Sequence, residues 1–281
     1  MPAPVEQAST NVSAVADFCQ KHHSDTYPFI DPTKADLSNQ TVVITGASRG
    51  IGRATAFSFV RAGCRRLVIT ARSPLKDFAA ELRQEAKSVE AAAKEVSEHF
   101  GGVVDTLVNN AGYLNASQLM GEGDPAEWLQ TFEVNIKGLY RVSRYFLPLV
   151  LKSTTSKTVI NVGSAGANYI VPGMSAYQTT KFTLCRFNEF MATEYQDQGL
   201  VAVAVHPGCL KTELASNLPT EYHELLSDAP ELPGDTFAWI AREKRDWLSG
   251  RYMEAVWDME EFEGKKEDVV QRDVLKFRMT L

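Results

Sequence analysis

The chain is short of cysteine, of net positive charge and of long apolar runs, and each shortage excludes something. Its four cysteines, Cys19, Cys64, Cys185 and Cys209, are scattered and form no CxxC pair. That excludes a disulfide scaffold and a Cys-rich zinc site, and a reducing compartment is expected. His22, His23 and His223 have no ligand partners at metal spacing, so no metal site is expected. Lysine and arginine number 29 against 35 acidic residues, a net charge of −6. Nucleic-acid binding, which favours clustered cations, is not expected. No apolar run approaches the ~18–20 residues of a membrane span. The first twenty residues lack arginine and an apolar core and carry Glu6 and Asp17. Neither a secretory nor a mitochondrial signal is read there, and a cytoplasmic location is expected. What remains is 44% hydrophobic residues over 281 positions, enough core for one large domain or two small ones.

Residues 1–37 read as an arm, with a short helix around 12–22 and an extended YPFIDPT stretch at 27–33. Beyond it, β-branched runs alternate with helical stretches. Strands are expected at 41–45, 65–71, 104–112, 158–164, 200–208 and 250–257. Helices are expected at 50–62, 125–151 with a kink near Glu133, 175–198 and 235–245. This alternation predicts an α/β fold with one doubly wound parallel sheet and helices on both faces. Residues 258–281 read as a charged tail, with a solvated helix over 258–273. The interval between Ala71 and Val104 is too short for helix, strand, helix and loops, which need about 40 residues or more. It is rich in Ala, Glu and Lys, has no apolar β run, and reads as helix broken near Ser88.

TGASRGIG at 45–52 follows a strand and opens a helix. Gly46 permits the tight turn. Gly50 and Gly52 let the backbone approach a pyrophosphate at a helix N-terminus, where free N–H groups and the helix dipole favour an anion. Tyr177 and Lys181 lie four apart on one helix face, where an ammonium lowers the phenol pKa and makes a proton donor and acceptor. Ser164, at a strand end, can hydrogen-bond a substrate oxygen. The TGxxxGxG spacing, with NNAG at 109–112, Asn135, Ser164, Tyr177-Gln-Thr-Thr-Lys181 and Pro207-Gly208…Thr212, resembles the short-chain dehydrogenase/reductase superfamily over residues 38–257. The arm and the run EKRDWLSGRYMEAVWDMEE resemble a subgroup common in filamentous fungi.

The resemblance implies a Rossmann-type domain that transfers hydride between NADP(H) and a carbonyl or secondary alcohol. It implies catalysis by Ser164, Tyr177 and Lys181, with Asn135 positioning a water. It implies cofactor contacts from Gly46, Ser48, Arg49, Gly50, Ile51, Gly52, Asn110, Ala111, Gly112, Tyr177, Lys181, Pro207, Gly208, Leu210 and Thr212. At the end of the second strand, where a carboxylate would select NAD, Arg72 stands instead. With Arg49 it favours the 2′-phosphate of NADP(H). The family's third strand, an edge strand followed by an adenine-binding aspartate, has no counterpart. That opens a second reading, a cofactor-binding protein with weak or no catalysis. Met174, Leu214, Leu218 and Tyr222 are candidates for an apolar pocket for a lipophilic small molecule. His206 and Cys185 are read as packing residues. Family members pair through the helices at 133–151 and 175–198, so a homo-oligomer is expected.

Overall fold

The computed structural model describes residues 15–71 and 89–279. One sheet contains β1 (Thr41–Thr45), β2 (Arg66–Thr70), β3 (Thr106–Asn109), β4 (Thr158–Val162), β5 (Val201–His206) and β6 (Arg251–Glu254). Its order is β2-β1-β3-β4-β5-β6, and every neighbouring pair is parallel. Five strands are buried throughout, as a sheet covered on both faces requires, even β6, which carries Arg251 and Glu254. β2 is half-buried along its length. Among the described residues the sheet ends there, without a third edge strand. Residues 72–88, which include Arg72 and Ser88, lie outside the described residues.

The helices are α1 (Gly50–Arg61), α2 (Val89–His99), α3 (Pro125–Phe132), α4 (Leu139–Val150), α5 (Ser175–Glu194), α6 (Glu231–Ala241), α7 (Met259–Gly264) and α8 (Lys266–Gln271). α1 and α6 pack together on one face over a core that includes Phe59, Phe237 and Trp239. α2, α4 and α5 cover the other over Val96, Phe146, Val150 and Met191. The expected kink near Glu133 is a π-helical turn, Glu133–Gly138, between α3 and α4. Buried Asp105 knots the bottom of the sheet. Its carboxylate accepts the Thr41 N–H at 2.7 Å and the hydroxyls of Ser153 and Thr155 at 2.6 Å each.

Three expectations about the ends are corrected. In the described part of 12–22 only residues 15–16 are helical, and His22 pairs antiparallel with Trp257. The 258–273 stretch is two short helices rather than one solvated one. Met259, Phe262 and Val269 are fully buried in it, so it belongs to the core. α6 begins at Glu231, because Pro233 is tolerated in a first turn that has no N–H bond to lose. Arm and tail clasp each other. The N–H groups of Gln20 and Lys21 donate to the Glu261 carboxylate, and the Tyr27 hydroxyl accepts the Met259 N–H at 2.6 Å. No helix among the described residues is long and apolar enough to cross a membrane.

Candidate active site

In a parallel sheet the crevice opens where the chain order reverses, at the C-terminal ends of the strands. Here that point is between β1 and β3, and the glycine turn sits on it. Gly46 has φ +68°, and a Cβ there would lie 2.8 Å from the Cα of Ala111. A Cβ on Gly52 would lie 2.5 Å from both the Gly46 carbonyl oxygen and Asn110 Nδ2. The turn is therefore folded directly onto the start of α1. The NNAG segment fastens it: Asn110 Nδ2 donates to the carbonyls of Thr45 (2.9 Å) and Gly46 (3.1 Å). The N–H groups of Asn110 and Ala111 donate to the Thr45 hydroxyl at 3.0 and 3.1 Å. Asn110, expected to touch the cofactor ribose, thus has its amide engaged in holding the turn.

Arg49, at the N-cap of α1, makes no side-chain cap. The first-turn N–H groups are left for an anion, and the half-buried Ser48 and the exposed Arg49 flank them. A cradle that no Cβ could enter, with uncapped amides at its lip, fits a dinucleotide pyrophosphate. Arg49 pairs with Glu213, and Gly50 faces the Thr212 methyl, so the loop after β5 closes over the turn. Gly112 lies against Asn135. Arg72, the other expected phosphate contact, falls outside the described residues.

Next to the cradle is a cavity of about 150 Å³. Ser164 and Tyr177 line it, together with Ile51, Pro207, Gly208, Leu210 and Thr212. All four expected pocket residues, Met174, Leu214, Leu218 and Tyr222, are in its wall. Ser164 caps a 3-10 turn, Ala165–Ala167, and its oxygen accepts the Gly166 N–H at 3.1 Å. Its own hydrogen is thereby left for another oxygen. Burial pushes the Tyr177 phenol up to about 12, with a hydrogen bond to Ser164 pulling the other way. Burial brings Lys181 down to about 8. The Lys181 Nζ donates to the Val162 carbonyl at 2.7 Å and lies 5.5 Å from the centre of the Tyr177 ring.

Asn135 occupies the π-helical turn, a distortion that recurs at functional sites. Its Oδ1 accepts the Tyr113 N–H at 2.8 Å, and its Nδ2 donates to the Tyr113 carbonyl (2.9 Å) and the Thr180 hydroxyl (3.0 Å). Both amide hydrogens are committed. The side chain ties the loop after β3 to α5 within the Tyr177–Lys181 turn. Neither Tyr113 nor Thr180 carried a sequence signal beyond its adjacency to a motif. Tyr169, Gln178 and Cys209 also line the cavity and were not anticipated. Cys185 is buried, its thiol pushed up to about 12, as suits a packing residue. His206 was read as packing, yet it forms part of the cavity wall.

Comparison with known proteins agrees with this architecture. The family model for short chain dehydrogenases matches residues 40–223. A short chain dehydrogenase of Monascus purpureus is 42% identical, covering 96% of this chain and 98% of the relative. One of Emericella variicolor is 38% identical, covering 95% and 98%. In the Monascus alignment, 96% of 281 residues is about 270, so about 19 of the 289 aligned positions have no residue here. Among solved structures, a short chain dehydrogenase from Salmonella enterica superposes with a TM-score of 0.69 at 25% identity, covering 82% of this chain and 99% of that one. A short chain dehydrogenase from Shigella flexneri, solved with NADP, gives 0.67 at 24%, covering 78% and 98%. With the cradle, the cavity and the Ser164–Tyr177–Lys181 arrangement on one sheet edge, the chain belongs to the short chain dehydrogenase family.

Proposed function

We propose that the protein is an NADP(H)-dependent oxidoreductase that interconverts a carbonyl compound and its alcohol through Ser164, Tyr177 and Lys181, with Asn135 as a positioning residue. The observation that carries this reading is the convergence of Ser164 and Tyr177 on one cavity beside the glycine cradle, with Lys181 buried behind them. The cradle from Gly46 to Gly52, with Ala111, Gly112 and the Pro207–Thr212 segment, would hold the dinucleotide. When bound, its nicotinamide supplies the hydride. Ser164 donates its free hydrogen to the substrate oxygen, and Tyr177 delivers the proton that completes the alcohol. A phenol raised to about 12 stays protonated and ready for that step at neutral pH. Lys181, an ammonium below about pH 8, stabilises the phenolate that is left and returns a proton to it.

Arg49 supports the preference for a 2′-phosphate, as does the absence of a carboxylate in the Thr70-Ala71-Arg72 sequence. The Shigella neighbour solved with NADP is in keeping with it. A homo-oligomer would pair through α4 and α5, where Tyr140 (55% exposed) and Phe190 (58%) stand out to solvent. The alternative, a cofactor-binding protein without turnover, draws its support from the sheet ending at β2 among the described residues. One experiment decides. NADPH and NADH oxidation are followed over a panel of aldehydes and ketones, with cofactor binding read by fluorescence. Tyr177→Phe is expected to lower kcat about 10²–10⁴-fold and leave NADPH binding in place. Tight NADPH binding with no turnover by the unmodified enzyme, and no effect of Tyr177→Phe, overturns the catalytic reading. Equal use of NADH overturns the phosphate preference.

A further inference from the structure

The chain leaves the end of β5 through Pro207-Gly208-Cys209, runs along the cavity and comes back to the same point at Asp228. Leu214, Leu218, Tyr222 and Leu226, all on this excursion, are in the cavity wall. Its backbone does little to hold them there. It forms two 3-10 turns, Leu214–Asn217 and Thr220–Leu225. Among the described residues the main-chain hydrogen bonds of 212–227 stay within the segment, as from Leu218 to Ala215 (3.1 Å) and from Tyr222 to Pro219 (3.0 Å). Two side-chain ties reach the rest of the fold. One is the exposed Arg49–Glu213 pair, and the other is Asn217 Nδ2, which donates to the Leu114 carbonyl at 2.7 Å. A surface loop bonded to itself moves as its ends move, so the closure of those ends sets where the wall stands.

Asp228 closes the ends twice. Its N–H donates to the Cys209 carbonyl at 3.0 Å, in a one-residue parallel bridge opposite Leu210. Its Oδ2 accepts the Cys209 N–H at 2.6 Å. An amide bonded to a carboxylate is charge-assisted and stronger than one bonded to a neutral acceptor. Gly208 makes the room for it. Its φ is +101°, and a Cβ there would lie 2.7 Å from the same Oδ2. The bare glycine, expected as a cofactor contact, thus also admits the carboxylate. On the far side the Ala229 N–H donates to the Ser24 carbonyl at 2.7 Å, so the N-terminal arm backs the closure. Cys209 and Leu210 line the cavity; Asp228 stands behind them and does not. We propose that Asp228 is a positioning residue for substrate: its carboxylate latches the returning loop to Cys209 and so fixes the cavity wall carried by residues 212–227. That this wall receives a carbonyl substrate rests on the oxidoreductase reading above; the latch itself does not.

Two readouts on the full chain test the latch: hydrogen exchange by mass spectrometry, and kinetics with NADPH over the panel of aldehydes and ketones. Asp228→Ala is expected to speed exchange across 212–227 by about tenfold or more, while peptides from β1 and β4 stay as they were. KM for the best panel substrate is expected to rise about tenfold or more, with kcat within about threefold of the unmodified enzyme. Asp228→Asn keeps an oxygen that can accept the Cys209 N–H and should restore most of both. A side chain that served stability alone would lower Tm without moving the KM of the folded enzyme. Should Asp228→Ala fail to fold in a thermal melt, Asp228→Leu, which has the same branched shape and no acceptor, decides in its place. Faster exchange confined to Cys209 and Asp228, or spread evenly over the sheet, overturns the proposal. So does an unmoved KM, or a failure of Asp228→Asn to restore. If no panel member is reduced, the oxidoreductase reading falls, and the exchange pattern alone upholds or overturns the latch.

Discussion

Gly52→Ala probes the cradle with the smallest possible change. The added Cβ would sit 2.5 Å from the Gly46 carbonyl oxygen, 2.5 Å from Asn110 Nδ2 and 3.0 Å from the Ala47 Cα. Asn110 is a side chain and can give way. The Gly46 oxygen is backbone, in a turn whose own carbonyl already accepts from Asn110 at 3.1 Å. Relief therefore requires the turn to lift off the start of α1, which destroys the shape that receives the pyrophosphate. Overpacking of this kind costs about 1–3 kcal/mol. At 2–4 °C per kcal/mol for a domain of this size, Tm falls by about 2–12 °C. If 1.4 kcal/mol or more of that reaches the cofactor, its Kd rises about tenfold or more. Gly50→Ala is the control. Its φ of +52° imposes about 1–2 kcal/mol of backbone strain, but its Cβ meets only the Thr212 methyl, at an ordinary 3.4 Å. It should cost stability with a much smaller loss of NADPH affinity. Fluorimetric melting with and without NADPH, and titration of cofactor fluorescence, measure both quantities. A Gly52→Ala protein with unchanged Tm and unchanged NADPH affinity would refute the reasoning. The double variant Gly52→Ala/Asn110→Ala should not recover, because the contact with the Gly46 oxygen remains.

Other consequences follow from single groups. Lys181 is held at about 8 against an ordinary 10.5, a difference worth about 3 kcal/mol. Below pH 8 the folded protein carries a buried ammonium at that cost. As pH rises from 8 to 10.5 the native state has released the proton while the unfolded chain keeps it, so stability rises. Lys181→Met should thus be the more stable protein at pH 7 by about 1–3 kcal/mol in urea unfolding, with the gain gone by pH 10.5 and kcat strongly reduced. A Met variant that is weaker at pH 7 contradicts this. Asp105→Ala leaves the Thr41 N–H and two hydroxyls without their acceptor at the far end of the sheet. It should cost about 2–4 kcal/mol in denaturant unfolding while kcat of the folded fraction holds. Phe190→Asp, on the exposed face of α5, should lower the mass seen by sedimentation velocity, and an unchanged mass would remove α5 from the interface. Glu213→Gln frees Arg49 and removes a carboxylate from the lip of the cradle; titration should show NADPH binding tightened more than NADH. Equal tightening would mean that Arg49 does not read the extra phosphate.

The sheet was legible because buried parallel strands are written as short unbroken runs such as TVVIT and VAVAVH, and both proved to be fully buried strands. That Ser164 and Tyr177 would share a cavity was legible because the chemistry proposed for them fixes residue type and helical spacing. What escaped was whatever joins distant segments through ordinary residues. The Asn135 amide bonds to positions 22 and 45 residues away, and nothing in Tyr113 or Thr180 announces a partner. The arm meets Glu261 across 240 residues or more. In the tail, dense charge concealed Phe262 and Val269, which are buried because the arm lies over that side of the fold. His206 looked like packing since a lone histidine beside a proline has no pattern. Only its place in the cavity wall at the end of β5 sets it apart.

Among the described residues the sheet ends at β2, which bears on which half of the proposed cofactor site has the thinner wall. Everything that would hold the pyrophosphate and the nicotinamide end sits on β1, β3, β4, β5 and their loops, all in the interior of the sheet. The adenine end would lie beside β2, whose five residues are all half-buried. A sheet that stopped at that edge would lack wall area and hydrogen bonds for the part of the dinucleotide farthest from the reacting carbon. Such a loss weakens ground-state and transition-state binding alike, which raises KM for the cofactor and leaves kcat intact. A protein that had instead lost its catalytic purpose would be free to let the interior drift. Its tyrosine would need no lysine buried at a cost of about 3 kcal/mol behind it. Lys181, buried at that cost and aimed at the Val162 carbonyl and the Tyr177 ring, suits the proposed proton transfer better than an inert binding fold.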